Sequence, residues 1–256
     1  MSASGLTTRL PVELDRPSRR IVGRDAPGPM VDPDVSGKYL RTQRRRVARS
    51  RVSRVSLGKR VFDVAAVLAA MPVLLPLMAL IALAIRLDSR GPALFFQRRY
   101  GLGGRRFTLW KFRTMTVDAH EALYDHLEAN TQHAWEWAQS RKLRADPRVT
   151  RVGRLLRRTS LDELPQVFNV LRGEMSLIGP RPLPLTERSL YGKAFALYCR
   201  ALPGLTGLWQ VSGRSDLPYA KRIELDTFYI RQRSWRLEWS ILRRTFGALW
   251  SKRGAY

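Results

Sequence analysis

Two acids stand side by side at Asp162 and Glu163, a few residues downstream of Arg154, Arg157 and Arg158. Ser160 and Glu163 have capping-box spacing, and Pro165 is tolerated only in a first helical turn, so the residues predict a helix that begins close to Asp162. At a positive helix end, next to arginines, carboxylates stay ionised and phosphate is attracted. That setting suits an anionic nucleophile that must approach an anionic substrate. The plainer alternative is that both acids only cap the helix. Other chemistry is sparse. His120, His126 and His133 fall in one polar stretch at spacings that put no pair on one helical face, so neither a metal nor an acid–base role is expected of them. Cys199 is the only cysteine and can form no intramolecular disulfide, so nothing calls for an oxidising compartment. Gly101, Gly103 and Gly104 lack both the Gly-x-Gly-x-x-Gly pattern and a Walker ending, and read as turn glycines.

The elements that must position the two acids are unevenly charged. Lysine and arginine number 46 against 21 aspartate plus glutamate, a balance of +25. A surface so cationic calls for an anionic partner: nucleic acid, anionic lipid or nucleotide phosphate. The 256 residues can bury one good core, which favours one catalytic domain with appendages. Residues 1–37 carry Pro11, Pro17, Pro27, Pro29 and Pro33 with little apolar periodicity, the composition of a disordered leader, and resemble no secretory signal. Residues 38–58 form a basic juxtamembrane segment without an acid, suited to anionic lipid headgroups and, on a plainer view, only a solvated charge run.

Residues 64–85 are the one long apolar run, free of charge and near the ~20 residues a membrane helix needs. A buried core helix of a soluble protein is the alternative, although such helices usually keep one polar face. Pro72 and Pro76 lie inside the run and both flanks are basic, which favours a bend near Pro76 and re-entry on the cytoplasmic side over simple spanning. Residues 59–88 are therefore expected as a re-entrant membrane helix and 89–256 as a cytoplasmic catalytic domain. Within that domain the β-prone stretches 93–97 and 107–112 predict a hairpin. A polar helix is expected over 119–139, with shorter helices over 149–158, 162–171, 185–201 and 218–231. Trp235, Trp239 and Trp250, interspersed with arginines, suit either a headgroup interface or the core.

Five motifs, in order, resemble the bacterial sugar transferases of the monotopic polyprenyl-phosphate phosphoglycosyl transferase family over roughly residues 57–256. They are Lys59-Arg60-x-Phe62-Asp63, Lys111-Phe112-Arg113-Thr114-Met115, Ser160-Leu-Asp-Glu-Leu-Pro-Gln166, Gly173-Glu-Met-Ser-Leu-Ile-Gly-Pro-Arg-Pro182 and Pro203-Gly-Leu-Thr-Gly-Leu-Trp-Gln-Val-Ser-Gly-Arg214. Residues 141–150 and the ending Ser251-Lys-Arg-Gly-Ala-Tyr256 look most like the galactosyl-phosphate transferases of succinoglycan-type exopolysaccharide synthesis. Leu75 stands before Pro76 where small members of the family can show a serine, so no role of that serine transfers.

The resemblance implies an α/β, mostly helical, membrane-associated catalytic domain with amphipathic surface helices. It implies transfer of a hexose-1-phosphate, galactose first and glucose next, from a UDP-sugar to undecaprenyl phosphate. Asp162 would be the nucleophile and Glu163 the ligand of Mg2+, a hard cation that takes carboxylate and phosphate oxygens. Arg157, Arg181, Lys59, Lys111, Arg113 and Arg214 would bind the anionic substrates. Anionic membrane lipid is a further expected partner and a homo-oligomer stays open. Two other classes compete: a basic nucleic-acid-binding protein, which no helix-turn-helix, zinc spacing or aromatic platform supports, and a non-catalytic membrane scaffold. No nucleic acid is expected as a partner.

Overall fold

The computed structural model describes residues 56–140, 143, 146–213 and 217–250. The expected leader, nearly all of the basic segment, Arg214 and the ending at Tyr256 lie outside the described residues.

Helix α1 spans Leu57–Asp88, and its 32 residues measure about 48 Å at 1.5 Å each. The Ser56 hydroxyl caps it by accepting from the Lys59 amide at 3.2 Å. Pro72 and Pro76 both lie within this one continuous helix. By length and composition it could cross a membrane. Leu68, Val73, Leu75, Leu80 and Leu83 are exposed along it, while Val67, Met78, Ile81 and Ile85 join a core with Leu109, Phe112, Leu156, Val167, Val170 and Met175. The helix is thus apolar on both sides, one turned to the protein and one suited to lipid.

The hairpin expected from the two β-prone stretches forms. Strand β1 (Leu94–Tyr100) runs antiparallel to β2 (Arg106–Phe112), with Leu94 opposite Phe112 and Tyr100 opposite Arg106. Helices α2 (Ala119–Ala129) and α3 (Thr131–Ser140) replace the single polar helix expected over 119–139. Asn130 takes an extended conformation between them and donates its side-chain amide to the His126 carbonyl at 3.2 Å. The break brings His126 Nε2 to 2.7 Å from His133 Nδ1 with the rings stacked, so a histidine pair does meet, across two helices instead of along one.

After α4 (Arg151–Thr159) and α5 (Gln166–Leu171), β3 (Ser176–Ile178) begins a small parallel pair. Its partner is β5 (Gly204–Thr206). A side chain on Gly204 would place its Cβ 2.0 Å from the Gly179 amide nitrogen, so only glycine lets these backbones pass. Strand β4 (Leu183–Pro184) pairs with β1 and gives the other sheet the order β2-β1-β4. The helix expected over 185–201 is divided into α6 (Arg188–Tyr191) and α7 (Phe195–Tyr198), with Gly192 between them at φ 44°. Helix α8 covers Tyr219–Gln232 and α9 Trp235–Trp250. Along α9, Trp235 and Trp239 are exposed and meet the Phe62 ring edge-on, whereas Ile241 is fully enclosed, so one helix serves both the surface and the core.

Both ends of α1 are fixed by buried polar groups. Near its start, Lys59 Nζ lies 2.8 Å from Glu238 Oε2 and 3.8 Å from Asp63 Oδ1, and Tyr229 donates to Glu238 Oε1 at 3.0 Å. Asp63 Oδ1 accepts from the Leu177 amide of β3 at 3.3 Å, and the Arg60 guanidinium caps the end of α5 at the carbonyls of Val170 and Leu171. At its far end Asp88 accepts from the Val152 amide in α4 at 3.0 Å. Arg113 gathers the exit turn through the carbonyls of Pro92 and Ser89 at 2.6 and 2.9 Å.

Because Lys59 and Glu238 are each only 5% exposed, removing one leaves the other charge enclosed without its partner. Glu238→Ala is expected to cost about 3–5 kcal/mol, read as a lowered unfolding midpoint in detergent. The triple change Lys59→Met, Asp63→Asn and Glu238→Leu, which also neutralises the second acid beside the lysine, should recover most of the loss. Equal losses for the single and triple variants would contradict the clamp.

Candidate functional site

The site is assembled where α4 ends. The Thr150 hydroxyl starts that helix by accepting from the Gly153 amide at 2.9 Å. Gly153 crosses directly over Thr114, whose carbonyl oxygen would lie 2.1 Å from any Cβ there. The crossing brings Arg157, one turn further along, to Thr114, and its Nε donates to the Thr114 hydroxyl at 3.0 Å. Ser160 then closes α4 in the left-handed conformation, φ 58°, alone among the described non-glycine residues. Holding a serine there costs of order 1–2 kcal/mol and turns the chain sharply into the 3-10 turn Leu161–Glu163. The expected capping box is therefore not formed. Ser160 ends one helix instead of starting the next, its side chain caps nothing, and α5 begins only at Gln166, after Pro165.

Lys111, delivered by β2, bridges the two acids: its Nζ lies 2.7 Å from Glu163 Oε1 and 3.3 Å from Asp162 Oδ2. Arg157 also acts on Asp162, favouring its charge. Arg181, on the turn between β3 and β4, rests over the Trp209 ring at 5.5 Å and acts on Glu163. These contacts split the pair. Burial alone would discourage ionisation of Glu163, but Lys111, Arg181 and Arg99 outweigh it and hold the carboxyl at about 2. For Asp162 burial prevails over Lys111, and the Glu163 charge adds to it, so its carboxyl sits above the usual aspartate range.

Beside the pair lies a small open cleft, lined by Arg99, Lys111, Glu163, Gln166, Arg181 and Gln210 among others. Arg99 is a cation the sequence reading passed over. Only 7% exposed, it donates to Gln97 Oε1 and the Pro182 carbonyl, while its Nε has no hydrogen-bond partner among the described residues. Burial and the neighbouring Arg181 lower its pKa to about 10. Hairpin register could have nominated it: Phe95 faces Lys111 across the ladder, and Arg99, four residues on, points to the same side of the sheet.

Of the six substrate-binding candidates, Lys111, Arg157 and Arg181 meet at the acids. Lys59 does not: it is enclosed with Glu238 and Asp63 in the clamp of α1. Arg113 does not either, because its Nε and Nη2 are held by the carbonyls of the exit turn. Arg214 lies outside the described residues. No group of three or more His, Cys, Asp or Glu that could hold a metal occurs among the described residues. The protein offers a divalent cation this carboxylate pair, an arrangement that suits Mg2+, which is held by one or two carboxylates together with substrate phosphates and water.

Residues 54–252 match the family described as bacterial sugar transferase. The chain is 44% identical over 200 residues to the exopolysaccharide production protein ExoY of Rhizobium meliloti, covering 78% of this chain and 88% of that protein. It is 41% identical over 198 residues to the UDP-galactose-lipid carrier transferase of Erwinia amylovora, covering 77% of this chain but only 41% of the longer relative. A third relative, the UDP-glucose:undecaprenyl-phosphate glucose-1-phosphate transferase of Caulobacter vibrioides, is 42% identical over 210 residues, 79% of this chain and 73% of its own length.

The hold of Lys111 on Glu163 carries a pH signature. Since the folded pKa is about 2 against an ordinary 4.5, the stabilisation is complete above about 4.5 and is lost as pH falls toward 2. Lys111→Met should therefore unfold at a lower temperature than wild type near neutrality, with the gap narrowing as the medium is acidified below 4.5. A gap independent of pH would show that the lysine acts through packing alone.

Proposed function

The chain belongs to the bacterial sugar transferase family, and on that premise we propose that it moves a hexose-1-phosphate from a UDP-sugar onto undecaprenyl phosphate, releasing UMP. The observation that carries this reading is the Asp162–Glu163 pair bridged by Lys111 at the edge of a cleft with three buried or half-buried cations. Phosphoryl transfer requires positioning and cationic stabilisation more than acid–base catalysis, so the absence of histidine from the cleft lining is no obstacle.

Asp162 is the nucleophile in this reading. It is the acid held less tightly by Lys111, so its oxygen is freer to attack the sugar-bearing phosphorus; the bond to the UMP oxygen breaks and an aspartyl phosphosugar remains. An oxygen of the polyprenyl phosphate then attacks the same phosphorus, and the Asp162 carboxylate leaves. Glu163, ionised at any physiological pH, is suited to hold Mg2+, which when bound neutralises diphosphate charge. Arg99, Arg181 and Lys111 line the cleft that would take the diphosphate, while Arg157 stands beside Asp162. Galactose is our preferred sugar on the resemblance of residues 141–150, with glucose next; relatives carry names for both.

In this reading the catalytic domain lies on the cytoplasmic face of the bacterial inner membrane, with α1 re-entrant. Crossing would strand one of two basic regions on the outer face, against the positive-inside bias, and cytoplasmic UDP-sugars must reach Asp162.

Incubating wild-type protein with UDP-galactose and Mg2+ should leave a phosphosugar adduct and release UMP. Asp162→Asn should leave none, and Glu163→Gln should weaken the Mg2+ dependence. An equal adduct on the Asp162 variant removes it as nucleophile, and strong preference for an N-acetylated sugar in competition overturns the choice of hexose. For topology, single cysteines at Ser50 and Ser89 in a Cys199→Ser background should resist an impermeant thiol reagent until cells are opened. Labelling of either from outside means that α1 spans.

A further inference from the structure

Strand β2 lies at the edge of its sheet, in the order β2-β1-β4, so one of its sides has no strand to pair with. Antiparallel pairing with β1 occupies the main chain of alternate residues, and the Trp110 amide and Thr108 carbonyl turn the other way. One side chain meets both. Asn169 of α5, fully buried, accepts from the Trp110 amide through Oδ1 at 3.1 Å and donates from Nδ2 to the Thr108 carbonyl at 2.7 Å. Its Nδ2 also reaches Glu174 Oε2 at 2.7 Å. The main-chain carbonyl of Asn169 is engaged as well, accepting from the amides of Glu174 and Met175 at 3.0 and 3.2 Å, just ahead of β3. Trp110 packs on Phe168 with ring centroids 5.7 Å apart, which closes the same contact from the side. One buried residue thus joins the segments that bring charge to the cleft: β2 with Lys111, α5 behind the turn of Asp162 and Glu163, and the approach to β3 and Arg181.

We propose that Asn169 is the positioning residue of Lys111, its side-chain amide acting as a single residue of a third strand along the free edge of β2. An amide side chain carries the same donor and acceptor as a peptide group, and here it bonds on either side of Leu109, as a residue in a paired parallel strand does. Pairing with β1 sets the register of β2 within the sheet, but not its advance along α5. Leu109 and Phe112 pack with Val167 and Val170 in the core, and apolar contact of that kind is non-directional and tolerates sliding. Hydrogen bonds of fixed length and direction do not. Lys111 follows Trp110 directly in the strand, and the acids are joined to α5 by the turn bonds from the Leu164 amide to the Leu161 carbonyl and from the Val167 amide to the Leu164 carbonyl. The bond between Asn169 and Trp110 therefore sets the reach of the lysine to Glu163 at 2.7 Å and to Asp162 at 3.3 Å. The effect of Asn169 on rate rests on the reaction proposed above, whereas its effect on the lysine–glutamate contact does not.

Two double-mutant cycles on the detergent-solubilised full chain test this, each pairing Asn169→Ala with Lys111→Met. The first reads the unfolding midpoint near neutrality. Lys111→Met should lower it in the wild type, and lower it by less once Asn169→Ala has displaced the lysine from Glu163. The second reads the rate of UMP release from UDP-galactose with Mg2+. Asn169→Ala should slow it by up to about a hundredfold, the cost that a misplacement of ~1 Å can carry, and should add little in the Lys111→Met background. Should Asn169→Ala fail to fold, Asn169→Asp has the same shape and keeps an acceptor for the Trp110 amide, but as a carboxylate offers no hydrogen to the Thr108 carbonyl, and the same cycles apply. Additive losses in either cycle mean that Asn169 serves folding alone and overturn the inference. Absence of UMP release from the wild type with any UDP-sugar overturns the reaction itself, and the midpoint cycle then decides the role of Asn169.

Discussion

The rest of this structure depends on how a helix with a lipid-like surface is held to a charged catalytic body. Apolar contact is not selective enough for that task, since the leucines of α1 are as well placed in a bilayer as against protein. The attachments are instead hydrogen bonds and ion pairs that water cannot replace, at Lys59, Arg60 and Asp63 near one end and at Asp88 and Arg113 near the other. Each reaches an element that carries the site. Asp63 ties to β3, which leads into the Arg181 turn, Arg60 to the end of α5, Asp88 to the start of α4, and Arg113 to the strand end next to Lys111. The placement of α1 against the catalytic body is thereby coupled to where Asp162 and Glu163 stand.

Local pattern made part of this legible in the sequence. The hairpin followed from two β-prone stretches, α1 from uninterrupted apolar composition, and the acid pair from its arginine-rich approach. The fate of individual cations was not legible. Lys59 and Arg113 carry the same charge as Lys111 and Arg181, and only the packing of distant segments decides which of them turns inward to a carbonyl or a buried glutamate. Arg99 was hidden for the converse reason: its role depends on the register that seats it opposite β4 and on the same sheet face as Lys111. Turn geometry failed as well, because Ser160 reads as a helix start but adopts φ 58° to end the helix before it.

The cleft shows why two neighbouring acids need not behave alike. Lys111 touches both, yet the second ring of cations, Arg181 and Arg99, lies on the Glu163 side, so that acid is committed to its charge while Asp162 is not. A few tenths of an ångström in the lysine contacts reinforce the same division. Adjacent carboxyls thus separate into a fixed anion and a more weakly supported one, and the asymmetry comes from burial and from the cations that gather on the Glu163 side.

The clamp between Lys59 and Glu238 joins residues 179 positions apart in the chain. During synthesis α1 leaves the ribosome first, and the glutamate that neutralises its lysine follows roughly ten to forty seconds later at usual elongation rates. Through that interval the helix can enter the membrane but cannot seat its charged end in the finished protein. Insertion and completion are thereby separate events, and a chain cut short before α9 would leave Lys59 with Asp63 alone, at 3.8 Å, without the closer contact to Glu238.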